Sequence, residues 1–425
     1  MITVEQATEY VAQYAWPKVP QSVPLEDALN RFLAEDIFSD LDVPPNDQSL
    51  VDGYAVRATD FSQRVFREKG VEGGVELEVV EEVTAGNVPA SRVESGRAVR
   101  VMTGVRVPDG ADAVVMVEES TWQRETGLPL GVVHFNTREV VAGQNIMPRA
   151  TSVRYGQLVL SCGKRIRPAE IAVLAQVGRT DVKVFGRPQV AVLPTGNELV
   201  DGGFVPGPGK IRNTNGPMLI ACGRQLDADV LDLGIGRDEP QQLRNLIERG
   251  LSADVLVLSG GVSAGTLDLV PAVLEELKVR QVFHKVSMKP GKPLWFGIAG
   301  GNKDDSNDDR STLVFGLPGN PVSSFVCFHL FVRPAIRRLC GQAAGEAAAP
   351  KCSALLAHPF EVTTDRATYH PAWIDWSETG PTIAPVLWHG SGDSRGLADA
   401  NALAIFPEGA RYYEAGQRIF CHPLD

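Results

Sequence analysis

Hydrophobic and polar positions change their spacing along the chain, and each spacing predicts a type of structure. Residues 1 to about 35 carry apolar residues three and four positions apart, as in PLEDALNRFLAEDI, and this period predicts helix. From Val43 the pattern changes to short apolar runs between Gly and Pro residues. The stretch from about 40 to 146 therefore predicts a compact β-rich module. A second helical pattern, RPAEIAVLAQVG, follows at 167 to 178.

Beyond Gly186, strand-like and helix-like segments alternate. The apolar runs PQVAVLPTG, ADVLDLGIG and ADVLVLSGG are separated by the helical patterns GPMLIACGRQL and EPQQLRNLIERG, and LDLVPAVLEEL follows the last run. This alternation predicts a doubly wound α/β sheet, whose ligand site lies at the carboxyl ends of its strands.

Two further segments complete the layout. The acidic GNKDDSNDDRS at 301 to 311 lies between the apolar runs PLWFGIA and TLVFGLP. It lacks the ligand spacing of an EF-hand, so we interpret it as a solvated hairpin tip. After the small-residue linker AAGEAAAP, short strands from about 351 to 425 predict a separate β module.

Three Gly- and Pro-rich turns end strands between Ser259 and Pro321: SGGVSAG, HKVSMKPGKPLWFG and VFGLPGNPVSS. Glycine lets backbone N–H groups approach a negative ligand closely, and Lys285, Lys289 and Lys292 supply positive charge nearby. A single turn of this kind is equally well explained by ordinary turn chemistry. Three in close succession predict an anion pocket.

Composition narrows the class of protein. A chain of 425 residues predicts several domains, and a net charge of −11 argues against general binding to nucleic acid or anionic membranes. The six cysteines lack metal-ligand spacing, which predicts reduced, mostly buried thiols in a cytoplasmic protein. The N-terminal MITVEQATEYVAQYAW has the pattern of an amphipathic helix and not of a signal peptide.

Three carboxylates follow predicted strands: Glu198 in PTGNEL, Asp238 in GRDE and Asp268 in GTLD. Strand ends of one sheet face a common crevice, where three carboxylates beside an anion site are explained by a Mg²⁺ ion that bridges phosphate oxygens. The alternative is that Asp238 and Asp268 cap helices, and the residues alone leave both possibilities open.

Seven segments, in order and over nearly the whole chain, closely resemble the motifs of the molybdopterin molybdenumtransferase family (MoeA and the E domain of gephyrin). They are PPNDQSLVDGYAVR, VRVMTGVRVPDGADAVVMVEE, LPTGNEL, SGGVSAGTLD, VSMKPGKPLWFG, FGLPGNPVSS and ADANALAIFPEG. The resemblance implies a homodimer whose cleft lies between the α/β domain of one subunit and the β module of the other. It also implies that molybdate and adenylylated molybdopterin react, with Mg²⁺ assisting, to release AMP and leave molybdenum on the pterin dithiolene.

The fold implied is a multidomain α/β and β protein with four domains. A small linking α/β domain takes 20–39 and 147–168, and the inserted β-rich domain takes 40–146. The doubly wound molybdopterin-binding α/β domain takes 1–19 and 169–340, and a β-barrel-like domain takes 341–425.

The resemblance also assigns roles to residues that match the family motifs. The catalytic set is Asp52, Thr103, Glu198, Asp238, Asp268, Lys285 and Lys289, of which Glu198, Asp238 and Asp268 hold the metal. The substrate-binding set is Asn215, Ser259, Gly260, Gly261, Ser263, Lys292, Pro318, Pro321, Ser323 and Ser391. Asp52 and Thr103 reach the cleft from the partner subunit, although a hairpin turn at VDGYA is the alternative for Asp52. Asn215 either supports the nucleotide-like end of the substrate or caps the following helix.

Two motifs depart from the family pattern. The family's Gly-Glu-Asp is absent from NIMPRATSV, in which Arg149 is the one cation. The family's Arg-x-Glu-Phe-x-Arg appears as RATYHP, so Pro371 matches the second arginine. We expect Arg366 or Arg395 to replace that charge, and the departures leave room for a preference for another oxyanion such as tungstate.

Two other functions compete with molybdenum insertion. A molybdopterin adenylyltransferase shares the α/β fold but usually carries Ser-Gly-Gly-Thr-Gly, whereas this chain has SGGVSAG. A non-catalytic scaffold, as in gephyrin, is accompanied by an extra domain and a long linker that this sequence lacks. Molybdenum insertion is favoured, with molybdoenzymes or other enzymes of the cofactor pathway as partners.

Overall fold

The computed structural model describes residues 1–62, 74–124, 126–137, 139–261, 269–300, 311–378, 380–409 and 411–424. The chain divides into two compact units. The first contains Met1–Glu35, Cys162–Ile171 and Thr180–Asp425, and the second contains Asp36–Ser161 and Ala172–Arg179. This division is coarser than the four domains expected from the sequence, whose boundaries stay a prediction.

A six-stranded sheet forms the centre of the first unit. Its strands, in spatial order, are Asp229–Asp232, Gln189–Pro194, Val255–Ser259, Thr312–Leu317, Trp295–Ala299 and Arg280–His284. The first four run parallel. Trp295–Ala299 runs antiparallel to them, and Arg280–His284 pairs antiparallel with Trp295–Ala299. Helices of this unit are Val4–Tyr14, Asn215–Gln225, Pro240–Gly250, Leu269–Glu276, Pro321–Cys327 and Arg333–Leu339, with a π-helical turn at Phe328–Val332 between the last two.

Hydrophobic cores cover both faces of this sheet, because successive strand residues point to opposite sides. Val255 and Val257 pack in one core with Phe315, whereas Leu256 and Leu258 pack in the other with Leu243. Such continuous apolar runs are typical of parallel strands that are buried on both faces. The prediction of a doubly wound α/β sheet is therefore confirmed.

A second sheet of the first unit closes into a barrel. It contains Met288–Lys289, Ala367–Ser377, Gly380–Pro385, Cys352–Leu356, Arg418–Pro423 and Ala402–Phe406, and Ala367–Ser377 also pairs with Ala402–Phe406. This last pairing joins the sheet to itself, so five strands are left without a free edge. The predicted C-terminal β module is confirmed as a barrel, and Met288–Lys289 pairs in parallel with its longest strand.

The rest of the first unit consists of short elements. Pro20–Pro24 pairs with Asp181–Phe185, Leu199–Val200 with Ile211–Arg212, and Phe360–Val362 with Arg411–Tyr413. Short helices lie at Ala344–Ala347 and Ser394–Ala398. Pro168–Gln176 forms the helix expected at 167 to 178, and the division between the two units falls within it, after Ile171.

The second unit is built on an independent six-stranded sheet, as the β-rich pattern predicts. Its strands, in spatial order, are Ala113–Met116, Gly53–Val56, Arg97–Val101, Val75–Val83, Val132–Phe135 and Ser120–Gln123. Two short pairs, Gln48–Ser49 with Ile146–Met147 and Ile37–Phe38 with Leu158–Leu160, complete it. Aromatic rings of Tyr54, Phe61 and Phe135 meet edge to face in its core.

Three expectations need correction or fall outside the described residues. The helix expected through PLEDALNRFLAEDI is wrong, because Pro20–Pro24 forms a strand and Leu25–Asp27 a single 3₁₀ turn. The cysteines of the described residues form no disulfide, but they are not mostly buried: Cys327 and Cys421 are buried, and Cys162 is exposed. The strands that flank 301 to 311 pair antiparallel, but residues 301–310 themselves lie outside the described part.

Within the described ranges, no helix combines the length and the apolar character that a membrane span requires.

Candidate functional site

A cavity of about 490 Å³ lies in the first unit between the turns of the α/β sheet and the C-terminal barrel. We call it the lysine cavity. The α/β side contributes two lysines and the LPGNP turn, and the barrel contributes an arginine and a serine. The polar and charged residues that line it include Lys289, Lys292, Asn320, Ser323, Arg366, His370 and Ser391, and Pro318 lies in the same wall.

Backbone pairing holds the lysine turn against the barrel. Lys289 pairs in parallel with Thr368, and Arg366 Nη1 donates a hydrogen bond to the carbonyl oxygen of Met288 at 3.0 Å. Gly291 has a φ of 113°, and a Cβ there would lie 2.7 Å from Cys327 Sγ. Glycine is therefore required at the centre of KPGKP, since a side chain would push the turn off the helix beneath it.

The LPGNP turn is bonded to the barrel in the same way. Asn320 Nδ2 donates to Ser391 Oγ at 2.8 Å, and the backbone N–H of Val322 donates to the carbonyl oxygen of Ser391 at 3.0 Å. Ser323 is buried beside this contact. Two strand-end turns and one barrel loop thus converge on a single basic cavity.

A second cavity, of about 570 Å³, lies on the other side of the LPGNP turn and also has Asn320 in its wall. We call it the glutamate cavity, after Glu198. Its other lining residues include Lys210, Asn215, Ser259 and Pro321.

Asn215 joins three elements at the floor of the glutamate cavity. It is 7% exposed, and its Nδ2 donates to Ser259 Oγ and to the carbonyl oxygen of Gly319, both at 2.7 Å. The side chain that accepts from the first turn of its helix is that of Asn213, whose Oδ1 accepts from the N–H of Gly216 at 2.9 Å, so the capping alternative for Asn215 is wrong. Its Oδ1 is buried and accepts no hydrogen bond within the described part of the chain. A buried amide oxygen without a donor is an acceptor available to a ligand N–H group.

Glu198 and Asp238 lie on adjoining turns. Asp238 Oδ2 accepts from the backbone N–H of Asn197 at 3.1 Å, and Asn197 Oδ1 accepts from the N–H of Asp238 at 3.1 Å. The residue that caps helix Pro240–Gly250 is Glu239, so the helix-cap alternative for Asp238 is wrong. Neither Glu198 nor Asp238 forms an ion pair with a basic residue of the described ranges.

The third expected metal ligand, Asp268, lies outside the described residues, as does Ser263. Among the described residues, no group of three or more potential ligands is assembled. Glu198 and Asp238 nevertheless fit a Mg²⁺ ion in chemistry, because both offer carboxylate oxygens that no described cation neutralises.

Gly260 and Gly261 adopt φ angles of 91° and 63° at the end of the central strand. A Cβ on Gly260 would lie 2.6 Å from the carbonyl oxygen of Thr195. This close approach explains why the SGG turn needs glycine, and it leaves the backbone open towards the strand ends.

Lys285 does not join the other two lysines, since it lines neither cavity. Its backbone N–H donates to Leu294 O, its carbonyl oxygen accepts from Ile2 N, and its φ is 72°. The two replacement arginines also separate: Arg366 lines the lysine cavity, whereas the Arg395 side chain is 91% exposed and lies 3.9 Å from Asp399.

In the second unit, Asp52 and Thr103 form one polar pair. The N–H and the hydroxyl of Thr103 donate to Asp52 Oδ1 at 2.7 and 3.0 Å. These bonds lower the pKa of Asp52, so the carboxylate is charged at neutral pH. The hairpin alternative for VDGYA is wrong, because Gly53–Val56 is an inner strand between two others. At the departure from the family motif, Arg149 pairs with Asp42 at 2.5 Å.

Sequence reasoning missed His370 and Trp388 in the wall of the lysine cavity. Burial lowers the pKa of His370, which keeps the imidazole neutral, and its Nδ1 lies 2.7 Å from the carbonyl oxygen of Pro371. Trp388 stacks edge to face on this ring at 5.0 Å. Both residues belong to the C-terminal module. The sequence contained a signal for His370, because this residue lies inside the altered RATYHP motif.

Three family models match this chain in succession. Residues 2–178 match the MoeA N-terminal region (domains I and II), residues 191–338 match a probable molybdopterin binding domain, and residues 353–424 match the MoeA C-terminal region (domain IV). The chain belongs to the MoeA family. Its place is therefore in molybdenum cofactor biosynthesis, among transferases.

Relatives of known name agree with this assignment. Proteins named molybdopterin molybdenumtransferase from Staphylococcus aureus (strain Mu50) and Bacillus subtilis (strain 168) are 34% and 35% identical. The matches cover 98% of this chain in both cases, and 94% and 93% of the relatives. A solved MoeA protein from Pyrococcus horikoshii OT3 superposes with a TM-score of 0.79 at 28% identity, over 100% of both chains. The family recognised in the sequence is confirmed, and so is the multidomain fold.

Proposed function

We propose that this chain inserts molybdenum from molybdate into adenylylated molybdopterin and releases AMP. The observation that carries the proposal is the lysine cavity, in which Lys289, Lys292 and Arg366 converge in a protein whose net charge is −11. A doubly charged tetrahedral oxyanion is matched by such a local cluster of cations and hydroxyl donors.

The lysine and arginine groups have different parts in this cavity. Lys289 and Lys292 act as mobile point charges, and Arg366 is held by its bond to Met288 O and offers its remaining N–H groups to the anion. Ser323, at the start of the helix after the LPGNP turn, and Ser391, in the barrel loop, supply hydroxyl donors. We propose that Arg366 supplies the positive charge of the family's second arginine, which Pro371 matches in this chain.

The glutamate cavity is the proposed site for the nucleotide end of the substrate. It adjoins the lysine cavity at Asn320, so one substrate can occupy both. The unpaired Oδ1 of Asn215 would accept an N–H group, and Lys210 would neutralise a phosphate. Ser259, Gly260 and Gly261 would offer close backbone contact at the same strand end.

Glu198, Asp238 and Asp268 would hold a Mg²⁺ ion beside these phosphates. When bound, the ion would neutralise the charge on the oxygens of the bridge between AMP and molybdopterin. The chain's own contribution is to hold Glu198 and Asp238 on adjoining turns without an ion pair to any basic residue that the structure describes.

Asp52 and Thr103 would complete the cleft from a second subunit, which makes a homodimer part of the proposal. Thr103 keeps Asp52 ionised and fixes its orientation. We also propose that the enzyme works in the cytoplasm and passes its product to molybdoenzymes or to other enzymes of the pathway.

The test is AMP release from adenylylated molybdopterin with Mg²⁺, with and without molybdate and then tungstate. The wild type should release AMP only when molybdate is present. Asp268→Asn should release no AMP, and AMP release by Lys289→Ala should not change when molybdate is added. Lys164→Ala, an exposed lysine outside both cavities, is the matched control and should behave as wild type. Release of pyrophosphate from ATP and molybdopterin without molybdate would contradict the proposal. The proposal would also be contradicted if AMP release by the wild type and by every variant were the same with and without an oxyanion.

A further inference from the structure

A third cavity, of about 170 Å³, shares no lining residue with the lysine or the glutamate cavity. It lies in the first unit, where helices Asn215–Gln225 and Arg333–Leu339 end and where Phe32 and Arg165 form an isolated β-bridge. Arg165, Arg224 and Arg337 line it, and we call it the arginine cavity.

The positive charge in the arginine cavity is not balanced by the surrounding side chains. Its wall contains one carboxylate within the described ranges, that of Asp227, and Arg187 already binds this group at 3.1 Å. Arg165 donates to the neutral amide oxygen of Asn30 at 3.0 Å. The Arg337 side chain forms no ion pair or hydrogen bond with any residue that the structure describes, although its carbonyl oxygen accepts from the N–H of Gln342 at 3.0 Å.

Arg337 is the most informative of these residues because it is half-buried. Burial lowers its pKa most, and the positive charge of Arg165 lowers it further. A partly desolvated guanidinium near another guanidinium is unfavourable unless an anion joins them. Among the residues that the structure describes, Asp227 is the one carboxylate in the cavity wall, and it is already paired with Arg187.

Compensation of helix ends is a competing explanation, since basic residues stabilise the negative C-terminal end of a helix. It accounts for Arg338, whose Nη1 donates to the carbonyl oxygen of Gln342 at 2.8 Å. It does not account for Arg337, which reaches no carbonyl oxygen in the described part of the chain.

We propose that Arg165, Arg224 and Arg337 form a second binding site, for a tetrahedral oxyanion, separate from the proposed active site. The cavity has room for such an ion with part of its hydration shell, because each water takes about 30 Å³ in the liquid. It is smaller than the pockets of about 300 Å³ or more that enclose whole organic ligands. Guanidinium groups match tetrahedral oxyanions because their parallel N–H donors bind two oxygens at once.

The site goes beyond the proposed function, since the reaction as proposed uses the other two cavities. Its ligand is a free inorganic oxyanion or the phosphate group of a monoester that projects from solvent. Arg165 and Arg224 are exposed at the mouth, so either source has access.

The experiment is isothermal titration of the full chain with inorganic phosphate at low ionic strength, in a background that carries Lys210→Ala and Lys289→Ala and so weakens both the glutamate and the lysine cavity. We expect phosphate binding to persist in this background and to fall by about tenfold or more when Arg337→Gln is added. Arg165→Gln, an exposed change that leaves both helix ends intact, should give the same loss. The matched control is Arg249→Gln, which removes an exposed arginine from the last turn of Pro240–Gly250 and should leave binding unchanged.

Titration with glycerol 2-phosphate, a monoester without the nucleoside for which the glutamate cavity is proposed, distinguishes the two sources. Loss of glycerol 2-phosphate binding in Arg337→Gln would support the site and identify a phosphate monoester as a ligand, whereas binding of inorganic phosphate alone would support a free oxyanion. Unchanged affinity for inorganic phosphate and for glycerol 2-phosphate in both Arg337→Gln and Arg165→Gln would overturn the proposal. A change of oligomeric state with unchanged phosphate affinity would also overturn it, because the arginines would then face carboxylates of a second copy.

Discussion

Asn320 donates a hydrogen bond to the Ser391 hydroxyl at 2.8 Å, and this contact joins the LPGNP turn of the α/β sheet to a loop of the C-terminal barrel. The two segments are 71 positions apart along the chain. Because both residues also line the lysine cavity, the same bond positions the cavity wall and orients one of its donors.

Replacing Ser391 should therefore impair oxyanion binding more than it impairs folding. We expect Ser391→Ala to weaken molybdate binding about five- to tenfold, since a hydrogen bond contributes roughly 1 kcal/mol and Asn320 also loses its acceptor. Molybdate affinity is measured by titration, and thermal unfolding is measured beside it. Ser353→Ala, which accepts a bond from Arg418 on the same barrel, is the control. Equal affinity in both variants would argue against a binding role for the Ser391 hydroxyl.

Arg366 and Arg395 are the two candidates for the missing positive charge, and their different positions allow a direct comparison. We expect Arg366→Ala to weaken molybdate binding about tenfold or more, because it removes a cation from the cavity wall and a bond to Met288 O. Arg395→Ala should have no effect, because that side chain is 91% exposed outside the cavity. Titration of both variants with molybdate and with tungstate checks the prediction. The reverse order of effects would show that the short helix Ser394–Ala398, and not the bend before Ala367–Ser377, supplies the missing charge.

Close packing against the neighbouring strand explains why VDGYA has a glycine, Gly53. A Cβ on Gly53 would lie 2.2 Å from the carbonyl oxygen of Val115 and 2.8 Å from Val114 Cγ1. We expect Gly53→Ala to lower the free energy of unfolding by about 2 kcal/mol or more, because the Val115 carbonyl belongs to the neighbouring strand and cannot move away without disturbing its pairing with Gly53–Val56. Gly202→Ala, with nothing within 4 Å of the new methyl group, should change it by less than about 0.5 kcal/mol. Urea unfolding of the two variants makes the comparison, and equal stabilities would contradict this packing argument.

The sequence pattern predicted those parts of the site that are built from local turns. SGG, KPGKP and LPGNP end strands, and parallel topology brings strand ends to one edge, so Lys289, Lys292 and Ser323 were foreseeable as neighbours. The direction of a single side chain was not, as Lys285 shows: its left-handed backbone and its bonds to distant residues depend on tertiary pairing.

Long-range pairing explains the other errors too. The segment from Pro20 has a helical period, yet Pro20–Pro24 forms a strand because it pairs with Asp181–Phe185. No local sequence pattern predicts a partner so far along the chain. His370 and Trp388 enter the lysine cavity because the barrel closes, which brings together positions far apart along the chain. A single sequence carries period and turn chemistry, but it does not state which strands become neighbours.

Glu170 makes part of the stability dependent on pH. Its carboxylate accepts from Arg167 Nε at 3.0 Å, from Arg167 Nη2 at 2.7 Å and from the Arg167 backbone N–H at 3.0 Å. The arginine bonds are the main cause that lowers the pKa of Glu170 from 4.5 to about 2. Because the folded-state pKa is depressed, this stabilisation is complete above about pH 4.5 and is lost as the pH falls towards 2.

We accordingly expect Glu170→Gln to lower the free energy of unfolding at pH 6, with a smaller difference from wild type at pH 3 and almost none near pH 2. The glutamine keeps the size of the side chain and removes the charge, so the comparison isolates the ion pair. Glu248→Gln, whose partner Arg244 is 3.4 Å away on an exposed helix face, should have little effect at either pH. Urea unfolding at several pH values checks this, and a Glu170→Gln difference that does not change with pH would show that the Glu170 charge does not contribute to stability.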